Sequence, residues 1–337
     1  MRKPILLILA LVAALAVGAC GTKSENVTPE TEPLSLSLDW YPNPDHVGIY
    51  TAKDSGFFED AGLDVSIDTP TDPALPIKLV AAGKADLAVS YEPEVLLARE
   101  QGLDVVAVGS IVNQPLTSMM WLKKSKIKRV ANLKGKTIST AGIPYQDAYL
   151  KTILARAGLT EDQVTKVGVG QGLLPSIVSG KAQATLGPYW NIEGVDLKLS
   201  GQKPVTSPVS QLGVPTYNEL VIVAQGQRVK EDPDSIRLFM SALARGTARA
   251  VAEPNAAIDT MLKANPSLAR KVTAAQVKTT LPLLASKSKD DLFGYMNPAD
   301  WQNFINWMVD NDVLSAPQRA VDALHNELLP GGPVDPN

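Results

Sequence analysis

Side chains able to hold a ligand gather in four short stretches of this 337-residue chain, although aromatic residues make up only 5% of it. The stretch DWYPNPDHVGIY (39–50) carries Trp40, Tyr41 and Tyr50 with Asn43 and His46, one of two histidines. Tyr91 is followed by Glu92; GPYWNIEG (187–194) supplies Tyr189, Trp190, Asn191 and Glu193; Glu219 stands before the apolar run LVIVA. Rings stack on other rings for ~1 kcal/mol beyond burial, and carboxylates add charge-assisted, directional hydrogen bonds. That is binding chemistry. A reaction needs more: the chain has no G-x-S-x-G elbow, no H-E-x-x-H and no phosphate-binding P-loop. A lone His46 without a partner makes no catalytic case.

The elements that must position these groups follow from periodicity. From Leu34 short apolar strands alternate with amphipathic helices: strand 34–40, a helix opened by Asn43 and Pro44 and stopped at Gly56, strand 64–68, helix 76–82, strand 86–90, helix 93–101, strand 105–111. Leu116–Leu122 is a further strand. A second alternating unit runs from strand 137–139 to strand 184–187, and Asn218–Ala224 carries the chain back. This pattern predicts an α/β fold with mainly parallel sheets covered by helices. Trp301, Phe304, Ile305 and Met308 share one helix face and read as core. LVAAGKADLAVSY (79–91) and IVSGKAQATLGPY (177–189) echo each other, each ending in a Tyr with a Glu close behind. Two lobes built alike would thus offer Tyr and Glu at equivalent strand ends, where open α/β sheets bind ligands.

The first residues set the compartment. Arg2 and Lys3 precede an apolar run (5–17) too short for a comfortable span of ~20 residues, and VGAC ends it as a lipobox. The expectation is a signal peptide over 1–19, acylation of Cys20, and a polar tether over 20–33. Cys20 is the sole cysteine, which leaves none for a disulfide, a thiol site or a zinc cluster. Loss of the leader changes the formal charge from −3 to −5, and that mild acidity gives no case for nucleic acid or for broad binding to anionic lipid. The basic run 123–129 lacks interleaved rings and reads as a solvated face beside a hinge. The membrane is therefore expected as a partner through the lipid anchor only, on the outer face of the bacterial cytoplasmic membrane. A monomer is expected, with no cofactor and no metal.

The lipobox and the stretches LSLDWYPNPDHVGIYTAKDSGFFEDAGLDV, KLVAAGKADLAVSYEPEVLLAREQGLDVVAV, LKGKTIST and GPYWNIEG resemble the NMT1/THI5-like substrate-binding proteins of ABC importers. The D-W-x-P-N-x-x-H and Y-W-N-x-E motifs resemble its pyrimidine branch. The resemblance implies a periplasmic-binding-protein-like fold of type II: two α/β lobes, a two-strand hinge and a ligand cleft between them. It places the crossings near 117–123 and 219–225, hence a first lobe over 34–123, a second over 124–218, and a return to the first with C-terminal helices over 219–337. It also implies a thiamine pyrimidine precursor, of the hydroxymethylpyrimidine or formylaminopyrimidine type, delivered to an ABC permease and its ATPase.

A flat aminopyrimidine, with an amine donor and accepting ring nitrogens, suits Trp40, Tyr91, Tyr189 and Trp190 as stacking rings, with Tyr41 a weaker candidate. Glu92, Glu193 and Glu219 would be its carboxylates, and Asn43, His46 and Asn191 further partners. Structural roles compete. Asn43 can cap its helix, His46 can bond a neighbouring carboxyl, Glu92 can cap the helix entered through Pro93, and Glu219 can sit at the hinge surface. Two other functions are weighed. An aliphatic sulfonate, taurine or nitrate binder would want Arg or Lys forks, and these loops show no Arg. A THI5-type pyrimidine synthase would carry a cysteine-rich motif, which is absent here.

Overall fold

The computed structural model describes residues 31–284 and 292–331; the leader, Cys20 and the tether up to Glu30 lie outside them. Among the described residues, ten strands form two five-stranded sheets. The first has the order β2-β1-β3-β10-β4, with β1 Glu32–Ser37, β2 Leu63–Asp68, β3 Leu87–Ser90, β4 Val105–Val112 and β10 Leu220–Gln225. The second has the order β7-β6-β8-β5-β9, with β5 Thr117–Leu122, β6 Thr137–Thr140, β7 Thr165–Gly168, β8 Ala184–Tyr189 and β9 Pro204–Pro208. Each lobe has a central parallel strand, β3 or β8, flanked by an antiparallel strand that the other crossing contributes. The two sequence echoes are these central strands, each with its preceding helix, Pro76–Ala81 or Leu173–Val178.

The changes of sheet fall earlier than the sequence reading put them. β5 pairs with β8 and β9, so the chain leaves the first sheet after Val112 and Thr117–Leu122 already belongs to the second. β10 pairs with β3 and β4, so the return is complete by Leu220. The crossings are the irregular segments around 113–116 and 213–219. Continuous apolar runs such as SMMWL and LVIVA announce buried strands but carry nothing about which sheet they join. β1 also starts at Glu32, two residues inside the expected tether, and β9 was not anticipated, because PVTSP lacks the usual strand signal.

Helix packing fixes the first loop. The helix Val47–Asp54 crosses the long helix Pro233–Ala252 so closely that a Cβ on Gly246 would sit 2.5 Å from the Gly48 carbonyl oxygen. Only glycine permits this approach. It anchors the chain just after DWYPNPDH, whose turn Pro44–His46 is capped by Asn43. Trp301, Phe304, Ile305 and Met308 are buried in the helix Pro298–Asp310, as their spacing predicts. No helix among the described residues is long and apolar enough to cross a membrane.

The fold buries carboxyl groups at a cost. Glu94, in the helix Glu92–Glu100, accepts from Ser90 Oγ at 2.9 Å, yet burial pushes its pKa up to about 7. The unfolded chain titrates it near 4.5, so between these values the native state binds more protons than the unfolded one. Stability gained from this group is complete below about pH 4.5 and is lost as the pH rises through 7. Glu94→Gln is expected to raise the unfolding free energy at pH 8, read from urea denaturation, by up to ~3 kcal/mol at ~1.4 kcal/mol per pKa unit, and to change it little at pH 5. Equal effects at both pH values would contradict this.

Candidate functional site

The carboxyl ends of β1, β3, β6 and β8 meet in one cleft between the lobes. Asp39, Trp40, Asn43 and Tyr91 line it from the first lobe; Tyr145, Gln146, Tyr189 and Glu193 line it from the second. The volume open to the centre of a water-sized sphere is about 40 Å³, room for a few waters at ~10–15 Å³ each on that measure. The lobes are tied across it. Asn191 Nδ2 donates to Asp45 Oδ1 at 2.6 Å and to Thr280 Oγ1 at 2.8 Å, and Gln276 Nε2 donates to the Ile192 carbonyl at 3.1 Å. A second cavity, about 360 Å³, lies behind the hinge between Tyr217, Leu284 and Leu292.

Asp39 organises the first-lobe wall. Tyr91 Oη donates to its Oδ2 at 2.8 Å, and His46 Nε2 lies 2.7 Å from its Oδ1. The Asn43 backbone N–H donates to His46 Nδ1 at 3.3 Å, so the proton of the ring sits on Nε2 and points at Asp39. His46 is completely buried and does not line the cleft; its contact is with the carboxylate that does. Asn43 Oδ1 accepts from the Asp45 N–H at 2.9 Å, and its Nδ2 donates to the Tyr41 carbonyl at 3.1 Å. It therefore caps the turn while lining the cleft. Trp40 is half-buried, its ring 5.9 Å from that of Tyr41.

The second-lobe wall is built at the end of β8. The Tyr189 N–H donates to Glu193 Oε2 at 2.8 Å. Burial is the main cause that pushes Glu193 up to about 7, and the Tyr189 N–H opposes it. Gln146, 3% exposed, has an Oε1 with no partner among the described residues. It packs against Gly187, whose φ of +122° and missing side chain make room: a Cβ there would meet Gln146 Nε2 at 3.1 Å. Tyr91 meets Tyr145 edge-on at 6.0 Å, and the column continues through Tyr149 and Tyr217 to Phe304. Much of the scarce aromatic content thus runs from the cleft into the core.

Besides His46, three nominated residues stand outside the cleft lining: Trp190, Glu92 and Glu219. Trp190 packs on the hinge, its indole N–H donating to the Pro115 carbonyl at 3.3 Å. Glu92 is fully buried and holds the return crossing, accepting the Asn218 N–H at 2.7 Å. Glu219 ties the two crossings together: its Oε2 accepts the N–H groups of Leu116 at 2.6 Å and Thr117 at 2.8 Å, and its Oε1 accepts the Thr117 hydroxyl at 2.8 Å. Asp39, Tyr145 and Gln146 were not nominated. The strand-end rule could have found all three, since Asp39 directly precedes Trp40 and Tyr145 opens the helix after β6. Among the described residues no Arg or Lys lines the cleft, which carries Asp39 and Glu193 instead.

Two α/β lobes with a cleft at their strand ends and paired crossings define the periplasmic-binding-protein-like fold. The fold agrees with that of the alkanesulfonate-binding protein SsuA from Xanthomonas axonopodis pv. citri bound to MOPS: the TM-score is 0.70 at 16% identity, covering 88% of this chain and 99% of that one. The chain belongs to the NMT1/THI5 like family, whose model matches residues 43–257. It is 35% identical over 317 residues to the formylaminopyrimidine-binding protein of Halalkalibacterium halodurans, covering 93% of this chain and 96% of that protein. A Haemophilus influenzae relative named for thiamine biosynthesis is 40% identical over 259 residues, 77% of this chain and 82% of its own. Fungal 4-amino-5-hydroxymethyl-2-methylpyrimidine phosphate synthases match more distantly, at 26% identity.

Proposed function

We propose that this chain is the solute-binding component of an ABC importer and captures a thiamine pyrimidine precursor of the hydroxymethylpyrimidine or formylaminopyrimidine type. The observation that carries the reading is the cleft itself: rings from both lobes, two carboxyl groups and no cation among its lining residues. Trp40, Tyr91 and Tyr189 offer faces and edges to a flat heterocycle, Glu193 a partner for its amine. An anionic sulfonate would meet the carboxyl groups of Asp39 and Glu193 and no counter-charge among the described lining residues, which disfavours the wrong ligand. The formylaminopyrimidine-binding relative, similar over almost the whole chain, supports the same substrate class.

Ligand bridging the lobes would favour the closed arrangement held by Asp45 and Asn191, which a membrane permease driven by an ATPase would read. Acylation of Cys20 would hold the protein at the outer face of the cytoplasmic membrane. We assign the chain no reaction. His46 is engaged by Asp39 and the Asn43 N–H, and the single cysteine leaves no cysteine motif. Incubation with pyridoxal phosphate and iron should yield no pyrimidine product.

A thermal-shift titration tests the substrate class. Formylaminopyrimidine at ~100 times its dissociation constant should add ~2.7 kcal/mol of stability, and alkanesulfonates should add none. Trp40→Ala and Tyr189→Ala should each lose most of the shift. A shift with sulfonates but not with aminopyrimidines would overturn the assignment.

A further inference from the structure

Net charge over the whole chain conceals a segregation that the two sheets make visible. Residues 113–218 hold 13 Lys and Arg against 5 Asp and Glu; the rest of the chain holds 19 against 30. The surplus in the second lobe is concentrated at one end of its sheet. Leu122 pairs with Pro204, Trp121 with Ala184, Ile138 with Ala184 and Thr137 with Thr165. The carboxyl end of β5 and the amino ends of β6, β7, β8 and β9 therefore share one edge, opposite the cleft.

The connections at that edge carry Lys123, Lys124, Lys126, Lys128, Arg129 and Lys134, all exposed, with Lys136 half-buried. Lys203 and Lys181 join them, as the Lys123 N–H donates to the Lys203 carbonyl at 2.9 Å and Lys124 Nζ to the Val178 carbonyl at 2.8 Å. None of these cations pairs with a carboxylate among the described residues. The acids at the same edge are Glu161 and Asp162, in the turn bonded to Gly135 through Gln163. Two apolar tips stand out there as well. Val178 and Leu199, each 38% exposed, end the helices Leu173–Val178 and Glu193–Leu199 that run back from the cleft.

We propose that this distal edge of the second lobe is a docking surface for an anionic lipid bilayer. Cations without a carboxylate partner gain from a surface of phosphate headgroups, each by roughly fivefold in partitioning. Exposed aliphatic tips among them suit the headgroup boundary, where apolar side chains leave water. The alternative polyanion, a single-stranded nucleic acid, wants rings for its bases, and the one ring near this edge, Trp121, is 2% exposed. Docking here leaves the cleft mouth free, since cleft and cations occupy opposite ends of the same strands. The proposal is independent of the ligand in the cleft.

The whole described core lies beyond residue 31, so the chain from Thr31 onward, lacking leader and Cys20, serves for the test. Cosedimentation is measured with vesicles of equal parts phosphatidylglycerol and phosphatidylcholine, and with phosphatidylcholine alone. Binding to the mixed vesicles only is expected, fading toward 1 M salt as the Debye length shrinks to ~3 Å. The fourfold variant Lys124→Glu, Lys126→Glu, Lys128→Glu, Arg129→Glu should bind at least roughly tenfold more weakly, with an unchanged melting temperature showing it folded. Val178→Ser with Leu199→Ser should weaken binding at fixed charge. Equal binding to both vesicle types, or retention on immobilised polyanion without vesicle binding, would overturn the proposal.

Discussion

Glu219→Ala should be the most destabilising single substitution at the hinge, costing about 3–5 kcal/mol and lowering the melting temperature by roughly 10 °C. Glu219 is completely buried and accepts from Leu116 N–H, Thr117 N–H, the Thr117 hydroxyl and, at 2.9 Å, the Tyr217 hydroxyl. Burial raises its pKa, and the hydrogen bonds from Thr117, Leu116 and Tyr217 oppose that. Alanine removes one group and strands four donors, and each unpaired buried donor costs ~1–3 kcal/mol. Water entering the gap would recover part of this, which keeps the expected loss below the simple total. Glu219→Gln should fall between alanine and wild type, because its carbonyl can still accept while its amide N–H₂ faces other donors. Both crossings meet at this carboxylate, so ligand affinity should weaken along with stability. A melting temperature within 2 °C of wild type for Glu219→Ala, against the roughly 10 °C expected, would show that the crossings hold without it.

Local chemistry in the sequence announced most of the secondary structure and little of its long-range pairing. Asn43 followed by Pro44 does cap a turn, Trp301 to Met308 is a core face, and the Gly-Lys-Ala echoes mark the central strand of each sheet. Such signals are written in neighbouring residues. The sheet joined by β5 is decided by partners 60 to 90 residues away in β8 and β9, and an all-apolar strand leaves no mark of that choice. The candidate site divides along the same line. Rings at strand ends, Trp40, Tyr91 and Tyr189, reach the cleft because strand direction alone puts them there. Carboxylates were harder: a Glu beside a strand can face a ligand or hold a crossing, and Glu92 and Glu219 do the second. Only contacts across more than 100 residues separate the two roles. The segregation of charge escaped notice for a related reason, since net charge sums over lobes that the fold keeps apart.

Affinity for an aminopyrimidine should be flat from pH 5 to about 6.5 and fall tenfold per unit above pH 7, with Glu193 as the cause. Its carboxyl lines the cleft and is held up to about 7, chiefly by burial. Oε2 accepts the Tyr189 N–H and, with a second lone pair, can still accept from a ligand alongside Oε1. A carboxyl group facing an amine and an adjacent ring nitrogen forms two parallel hydrogen bonds when the pair shares one proton. That proton can sit on the acid or on the ring; the count is the same. Below pH 7 the free protein already carries it, so binding takes none from solution. Above pH 7 free Glu193 is ionised, each binding event takes up one proton, and the logarithm of the dissociation constant rises with unit slope. Titration calorimetry in two buffers of different ionisation enthalpy reads that uptake directly. Glu193→Gln offers the donor and acceptor of a neutral acid at every pH, so it should bind with the low-pH affinity of wild type and show no slope. Glu193→Ala should lose roughly 10- to 100-fold at pH 6, the worth of a charge-assisted bond. A wild-type dissociation constant unchanged between pH 6 and 8.5, or a slope that survives in Glu193→Gln, would take Glu193 out of the ligand's first contacts and move the proton to another group of the cleft.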